Sequence, residues 1–312
     1  MPKSPVWFDC DTGIDDAWPS PSWPPAPAST SWASARSAAT STRPRPPGTR
    51  WTCSPCWGVT TCRWPWGRTI RWWASTPGAR RRCMEVTASA MCSSPAHRAR
   101  CRPLRGGRTA GRGRAHAGEL HLIAVGPLTN LAHALVQEPE LPSLVKHVTI
   151  MGGAVWVPGN LTAHAEANIA NDAEAARIVF RAGWPVTLVP LDVTHAHTFD
   201  TTAYEALLAR DTALHKALAG MLDCYLSFHE TRHGVRASAL HDPLATMLAT
   251  GAVEASTVRS TGLVVDTTEE QTRARTLAVE VDALHPVVDV VTEVADPVGP
   301  RLLELLLALP GR

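Results

Sequence analysis

The sequence predicts a single α/β domain with a mostly parallel central sheet flanked by helices. Three observations carry that prediction. From residue 118 onward, short apolar runs alternate with longer amphipathic stretches, and strands alternating with helices imply a sheet covered on both faces. Residues 9–16 read Asp-Cys-Asp-Thr-Gly-Ile-Asp-Asp at the end of the apolar run 6–8, and the carboxyl ends of strands are where open α/β sheets place their ligands. Three further polar groups fall at strand ends or in loops: Gly126-Pro127-Leu128-Thr129-Asn130, Met151-Gly152-Gly153 with the loop 158–171, and His241-Asp242-Pro243.

Run 6–8 reads as the first strand, and Gly13 lets the chain turn sharply behind it. Asp9, Asp11, Asp15 and Asp16 then stand within eight residues. So many like charges repel at close range unless a cation joins them, which implies a hard, oxygen-loving metal such as Ca²⁺ or Mg²⁺. The bland alternative is a solvated acidic turn that caps the next helix.

Residues 18–117 break the pattern. They hold 9 of the 12 Trp, 6 of the 8 Cys and 17 Arg, against one acidic residue, Glu85, and one Leu, Leu104. A soluble domain normally mixes both charge signs and is rich in Leu, and no window here sustains a period of 2 or 3.6. One reading is a basic insert that binds nucleic acid or zinc, superficially supported by Cys53, Cys56 and Cys62, but no second CxxC pair follows. The better reading is a lost reading frame. Residues 17–25, Ala-Trp-Pro-Ser-Pro-Ser-Trp-Pro-Pro, can be encoded so that the neighbouring frame spells Ala-Leu-Ala-Leu-Ala-Leu-Leu-Ala-Ala, a good helix. The same slip turns residues 32–41 into a strand-like run ending near Gly-Gly-Asn. On this reading the frame is lost after Ala17 and regained near Ala117, and 18–117 is disordered or misfolded as written.

From Gly118 the expected elements run in order. Residues 120–125 are a buried strand, and Pro127 suits the start of a helix that continues over 128–137. Residues 148–151 are a strand ending in Gly152-Gly153. Asp172 caps a helix over 173–182, with Glu174 in its first turn and Gly183 past its end. Residues 186–191 form the next strand, and 202–226 are mostly helical. Residues 263–265, 277–281 and 287–291 read as later strands, and 301–309 as a closing helix ended by Pro310 and Gly311.

The whole chain carries a net charge of +2 and is 45% hydrophobic, enough for a sizeable core. No apolar run reaches the ~20 residues of a membrane span and no signal peptide opens the chain. Cys10, in a chain with no disulfide framework, fits a reduced cytoplasmic protein.

Each polar group has a plain structural reading. Asn130 and Asn160 can stabilise turns, Glu166 can sit on a solvated face, and His241-Asp242-Pro243 can be a helix start with an Asp cap and Pro at the first helical position. Together, however, Asp-Cys-Asp-Thr-Gly-Ile-Asp-Asp-Ala, Gly-Pro-Leu-Thr-Asn, Met-Gly-Gly, Glu-Ala-Asn and His-Asp-Pro occur in an order that resembles the inosine-uridine preferring nucleoside hydrolases. The resemblance covers residues 5–17 and about 118–312.

That resemblance implies a Rossmann-like core holding Ca²⁺ on the floor of its pocket and hydrolysing the N-glycosidic bond of ribonucleosides to ribose and free base. Asp11, Asp16 and Asp242 would ligate Ca²⁺ through carboxylates, and Thr129 through its backbone carbonyl. Asp11 would be the general base on the water that the cation holds, and the attack at C1′ would have oxocarbenium character. Asp15, Asn168 and Asp242 would hold the 2′- and 3′-hydroxyls, Asn160 and Glu166 the 5′-hydroxyl, and Met151 would line the pocket. His241 would protonate the leaving base or hydrogen-bond it, with His229 and His233 in the segment covering the base. Asp9 would support the metal loop from behind. The resemblance also implies a homodimer or homotetramer, a small-molecule ribonucleoside as the only partner, no nucleic acid and no membrane.

No Asn occurs between residues 18 and 117, although the family takes a Gly-Asn contact to the ribose from that region. The literal chain is therefore expected to fold poorly and to have little activity, as a pseudoenzyme or decayed gene product. A remote alternative is a haloacid dehalogenase-like phosphatase opening on Asp9-x-Asp11, with the first Asp as nucleophile.

Overall fold

The computed structural model describes residues 6–10, 33–36, 53–56, 59–63, 69–73 and 116–310. The chain divides into two compact units, Ala38–Arg102 and the remainder, so the break falls inside the compositionally odd stretch rather than at its ends. The smaller unit contains an antiparallel sheet of β3 (Cys53–Cys56), β4 (Val59–Arg63) and β5 (Thr69–Trp73), in that order. Strands, Ala33–Arg36 among them, thus occupy part of the segment expected to be disordered or misfolded; most of its other residues lie outside the described ones.

The larger unit is built on an eight-stranded sheet. Its strands are β1 (Val6–Cys10), β2 (Ala33–Arg36), β6 (Leu120–Ala124), β7 (Val145–Met151), β8 (Val186–Val189), β11 (Ala255–Val265), β12 (Thr276–Val279) and β13 (Val288–Val294). Their spatial order is β12-β11-β13-β8-β7-β6-β1-β2. Pairings from β2 through to β13 are parallel, and only β11 pairs antiparallel, with β13 and β12. The expected mostly parallel sheet is therefore present with an antiparallel edge. A short ribbon of β9 (Thr198–Asp200) and β10 (Ala237–Ala239) lies apart from it.

Both faces are covered, as the near-continuous apolar strands require. Alternate side chains of one strand enter different cores: Trp7, Leu122, Val148 and Leu188 on one face, Phe8, Ile123, Met151 and Val189 on the other. The first face is packed by α1 (Thr129–Gln137), α2 (Leu141–Leu144), α3 (Ala167–Asn171) and α4 (Ala173–Phe180). The second is packed by α5 (Leu191–Thr194), α6 (Thr201–Leu208), α7 (Ala213–His233), α8 (His241–Thr250) and α9 (Val298–Leu307). Burying these cores supplies most of the stabilisation, at about 25 cal/mol per Å² of apolar surface.

Several boundaries differ from the expected ones for local reasons. The helical stretch expected over 202–226 is two helices, broken where Asp211 takes a positive φ of 53° and Thr212 caps α7 by accepting from His215 N at 3.2 Å. Strand β11 runs eight residues further back than 263–265, because its first half is polar and exposed and shows no apolar run. The expected cap at Asp172 is present: its carboxylate accepts from Ala175 N at 3.0 Å. Asp242 does not cap α8. The position before that helix is Leu240, with no side-chain cap, and Asp242 and Pro243 lie inside its first turn.

Candidate functional site at the strand ends

Strands β1, β6, β7 and β8 are parallel and in register, so Cys10, Ala124, Met151 and Val189 finish along one edge. The loops leaving that edge, together with α8, carry the polar groups singled out above. Asp11, Asp15 and Asp16 follow directly on β1 but lie outside the described residues.

Asp9 is the last acidic residue within β1, 2% exposed. Its carboxylate accepts from Asn130 Nδ2 at 2.9 Å, and Val125 N donates to the Asp9 carbonyl at 2.9 Å. Asn130 therefore does more than stabilise a turn: it ties the first turn of α1 to the strand that launches the acidic loop. Beside it, Thr129 Oγ1 donates to Asp172 Oδ2 at 2.5 Å. That bond turns the threonine side chain towards the cap of α4.

Glu166 is 2% exposed, which rules out a solvated face. Oε1 accepts from Asn168 N at 2.8 Å, and Oε2 accepts from Gly153 N at 2.9 Å and Ile169 N at 3.1 Å. One carboxylate thus caps α3 and pins the turn after β7. Gly153 sits at φ +81°, where a side chain would be strained and would press on Thr276. Asn168 Nδ2 donates to Val125 O at 3.3 Å and Met151 O at 3.2 Å, bridging the ends of β6 and β7. Its amide oxygen accepts from no described residue. Asn160 is exposed, and its Oδ1 accepts from Ala167 N at 3.0 Å, so it does stabilise the loop as the plain reading holds. Its Nδ2 is not used in that bond.

Helix α8 packs against β6, β7 and α5, which brings His241 and Asp242 to the same edge. Asp242 is 4% exposed. His241 Nδ1 lies 2.7 Å from Thr194 Oγ1, and the His195 ring meets it edge-on at 5.7 Å between centroids. Burial pushes the His241 pKa down to about 3, with smaller contributions from His195 and His229. A neutral ring donates a hydrogen bond but is a poor proton donor. On α7, His229 stacks on His233 at 5.6 Å and meets Phe228 edge-on at 5.3 Å. His233 itself is exposed. The structure thus links His229 electrostatically to His241 and reaches His233 only through His229.

Sequence reasoning missed Asp192, Thr194 and His195. Asp192 accepts from Val155 N at 2.9 Å and Trp156 N at 2.8 Å, fastening the loop after β7 to α5. The signal was available: Asp-Val-Thr-His follows directly on an apolar strand, at the edge where the other groups were sought.

The proposed cation donors are all oxygens, carboxylates of Asp11, Asp16 and Asp242 and a carbonyl of Thr129, a set that fits a hard cation. Only Thr129 and Asp242 belong to the described residues, among which no three or more His, Cys, Asp or Glu side chains are grouped to hold a metal.

Fold and site together define an α/β protein with a polar, carboxylate- and amide-lined site on the carboxyl edge of its sheet. Residues 88–298 match the family profile described as inosine-uridine preferring nucleoside hydrolase. The chain belongs to that family. It is 39% identical over 132 residues to a probable uridine nucleosidase 2 of Arabidopsis thaliana, covering 42% of this chain and 41% of the relative. It is 42% identical over 123 residues to a pyrimidine-specific ribonucleoside hydrolase, RihA, of Salmonella arizonae, covering 39% of each. The chain thus spans about two fifths of the length of these curated relatives. The solved structure of a plant nucleoside hydrolase, PpNRh1, superposes with a TM-score of 0.70 at 22% identity, over 99% of this chain and 100% of that one, a likeness of fold. No helix among the described residues is long and apolar enough to cross a membrane.

Proposed function

We propose that this site hydrolyses the N-glycosidic bond of ribonucleosides to ribose and free base, with Ca²⁺ bound by Asp11, Asp16, Asp242 and the Thr129 carbonyl. The observation that carries the reading is the His241–Asp242 pair at the head of α8, packed on β6 and β7, whose ends Asn168 bridges. A hard divalent cation, when bound, supplies positive charge that eases ionisation of water and anchors sugar hydroxyls. Asp242 and the amide oxygen of Asn168 orient the 2′- and 3′-hydroxyls, with Asp15. Asn160 and Glu166 take the 5′-hydroxyl, and Met151 closes the floor. Asp11 removes a proton from the water that attacks C1′. As the C1′–N bond breaks, its electron pair leaves with the base, and His241 stabilises that base by a hydrogen bond from its neutral ring. His233 contacts the outer side of the base.

The literal chain carries a second reading, favoured by the composition of 18–117. We read 18–117 as translated out of frame, which leaves the chain an inactive relative of its frame-restored form. The family reading also carries a cytoplasmic homodimer or homotetramer. Ribose release from uridine and inosine, with and without a Ca²⁺ chelator, tests the function; chelator-insensitive release, or none from the frame-restored chain, would refute it.

A further inference from the structure

We propose that Thr194 is a positioning residue that fixes which nitrogen of His241 carries the proton. The side chain of Thr194 is 0% exposed, and among the described residues its hydroxyl has one hydrogen-bond partner, His241 Nδ1 at 2.7 Å. A buried hydroxyl hydrogen needs an acceptor. Were Nδ1 protonated, two donors would face each other across that contact, or the threonine hydrogen would point into the core with no described group to accept it. Either arrangement is unfavourable. Thr194 Oγ1 therefore donates to Nδ1, and His241 carries its proton on Nε2.

The mounting around this bond is stiff. Thr194 ends α5, directly behind β8, and Asp192 of the same helix is fastened to the backbone of Val155 and Trp156. Leu240 N donates to His197 O at 2.8 Å, which ties the entry to α8 to the chain just past α5. His195 packs edge-on against the His241 ring. Ring and hydroxyl thus belong to two elements locked together on both sides of the contact. The consequence is chemical: from Nε2 the ring presents a hydrogen-bond donor and no acceptor, so the ligand atom that meets it must be an acceptor. This step rests on the proposed function only in taking that ligand to be a nucleoside base.

The test is ¹⁵N spectroscopy of the histidine rings in the full chain, which reads the tautomer without activity. His241 is expected to show protonated Nε2 and a hydrogen-bonded, unprotonated Nδ1. Thr194→Val should move the Nδ1 signal to the position of an acceptor without a donor, and Thr194→Ser should restore it. In the frame-restored chain, Thr194→Val should lower kcat by roughly tenfold with KM little changed, and Thr194→Ser should recover it. Protonated Nδ1 in the unsubstituted chain overturns the proposal, whether or not Thr194→Val folds. So does an Nδ1 signal that Thr194→Val leaves in place. If no form releases ribose, the functional reading fails, and the ring signals still decide the tautomer.

Discussion

Replacing Glu166 by Ala removes the one acceptor shared by three backbone N–H groups. Gly153 N, Asn168 N and Ile169 N all belong to buried residues, so water cannot simply take the place of the carboxylate. A buried donor left without a partner costs about 1–3 kcal/mol, and these costs do not add fully as the loop relaxes. Glu166→Ala is expected to lose at least about 3 kcal/mol. For a chain of this size that is roughly 2 °C in Tm per kcal/mol, or about 6 °C. Glu166→Gln keeps one oxygen. Placed where Oε2 now lies, that oxygen still serves Gly153 and Ile169, while its amide group opposes Asn168 N–H. The loss should be about 1–3 kcal/mol, between the parent and Ala. Differential scanning calorimetry reads both variants, with and without a Ca²⁺ chelator. Because Glu166 is not among the proposed ligands, the Tm difference should be the same in the two buffers. An Ala variant within about 0.5 kcal/mol of the parent, the ordinary range for neutral surface changes, would show that the carboxylate does not hold these three N–H groups. A Gln variant as damaged as Ala would also do so.

Thr129→Val removes the bond to Asp172 but keeps the main chain; it should cost about 1 kcal/mol and leave Ca²⁺ affinity unchanged, which denaturant unfolding and calorimetric titration check together. Stability should fall in mild acid. The pKa values of His121 and His147 are both lowered, chiefly by burial, with Asp289 partly opposing the effect on His147. Below the unfolded value near 6.5 the unfolded chain binds more protons than the folded one, so stability is complete above that pH and drops as pH falls towards the lowered values. His121→Leu, at a ring whose Nε2 is buried without a partner, should reduce the Tm loss between about pH 7 and pH 5; an unchanged loss would assign it elsewhere.

The parallel core was legible because its strands are buried on both faces and read as apolar runs, and the Asp172 cap because Asp before an amphipathic run has one common use. The first half of β11 escaped notice because exposed Ser, Thr and Arg carry no period there. The break at Asp211 was hidden because apolar residues continue on either side, and only the positive φ divides them. Within the site, Glu166, Asn168, His241 and Asp242 were found by their order in the chain. What that order could not reveal was the direction of each side chain. Asn168 turns its nitrogen inwards to two carbonyls, and Glu166 is largely occupied by backbone. Thr194 was invisible for the same reason, since its importance lies in one contact across 47 residues.

Residues 9–16 and 118–310 together carry the proposed nucleoside hydrolase site, and the segment 18–117 between them is read as displaced from its reading frame. Ribose release from uridine and inosine, measured side by side on the chain as given and on one with the frame of 18–117 restored, tests it most directly. The account predicts Ca²⁺-dependent release from the restored chain and little or none from the other. Equal rates from both, or no release from the restored chain, would contradict it.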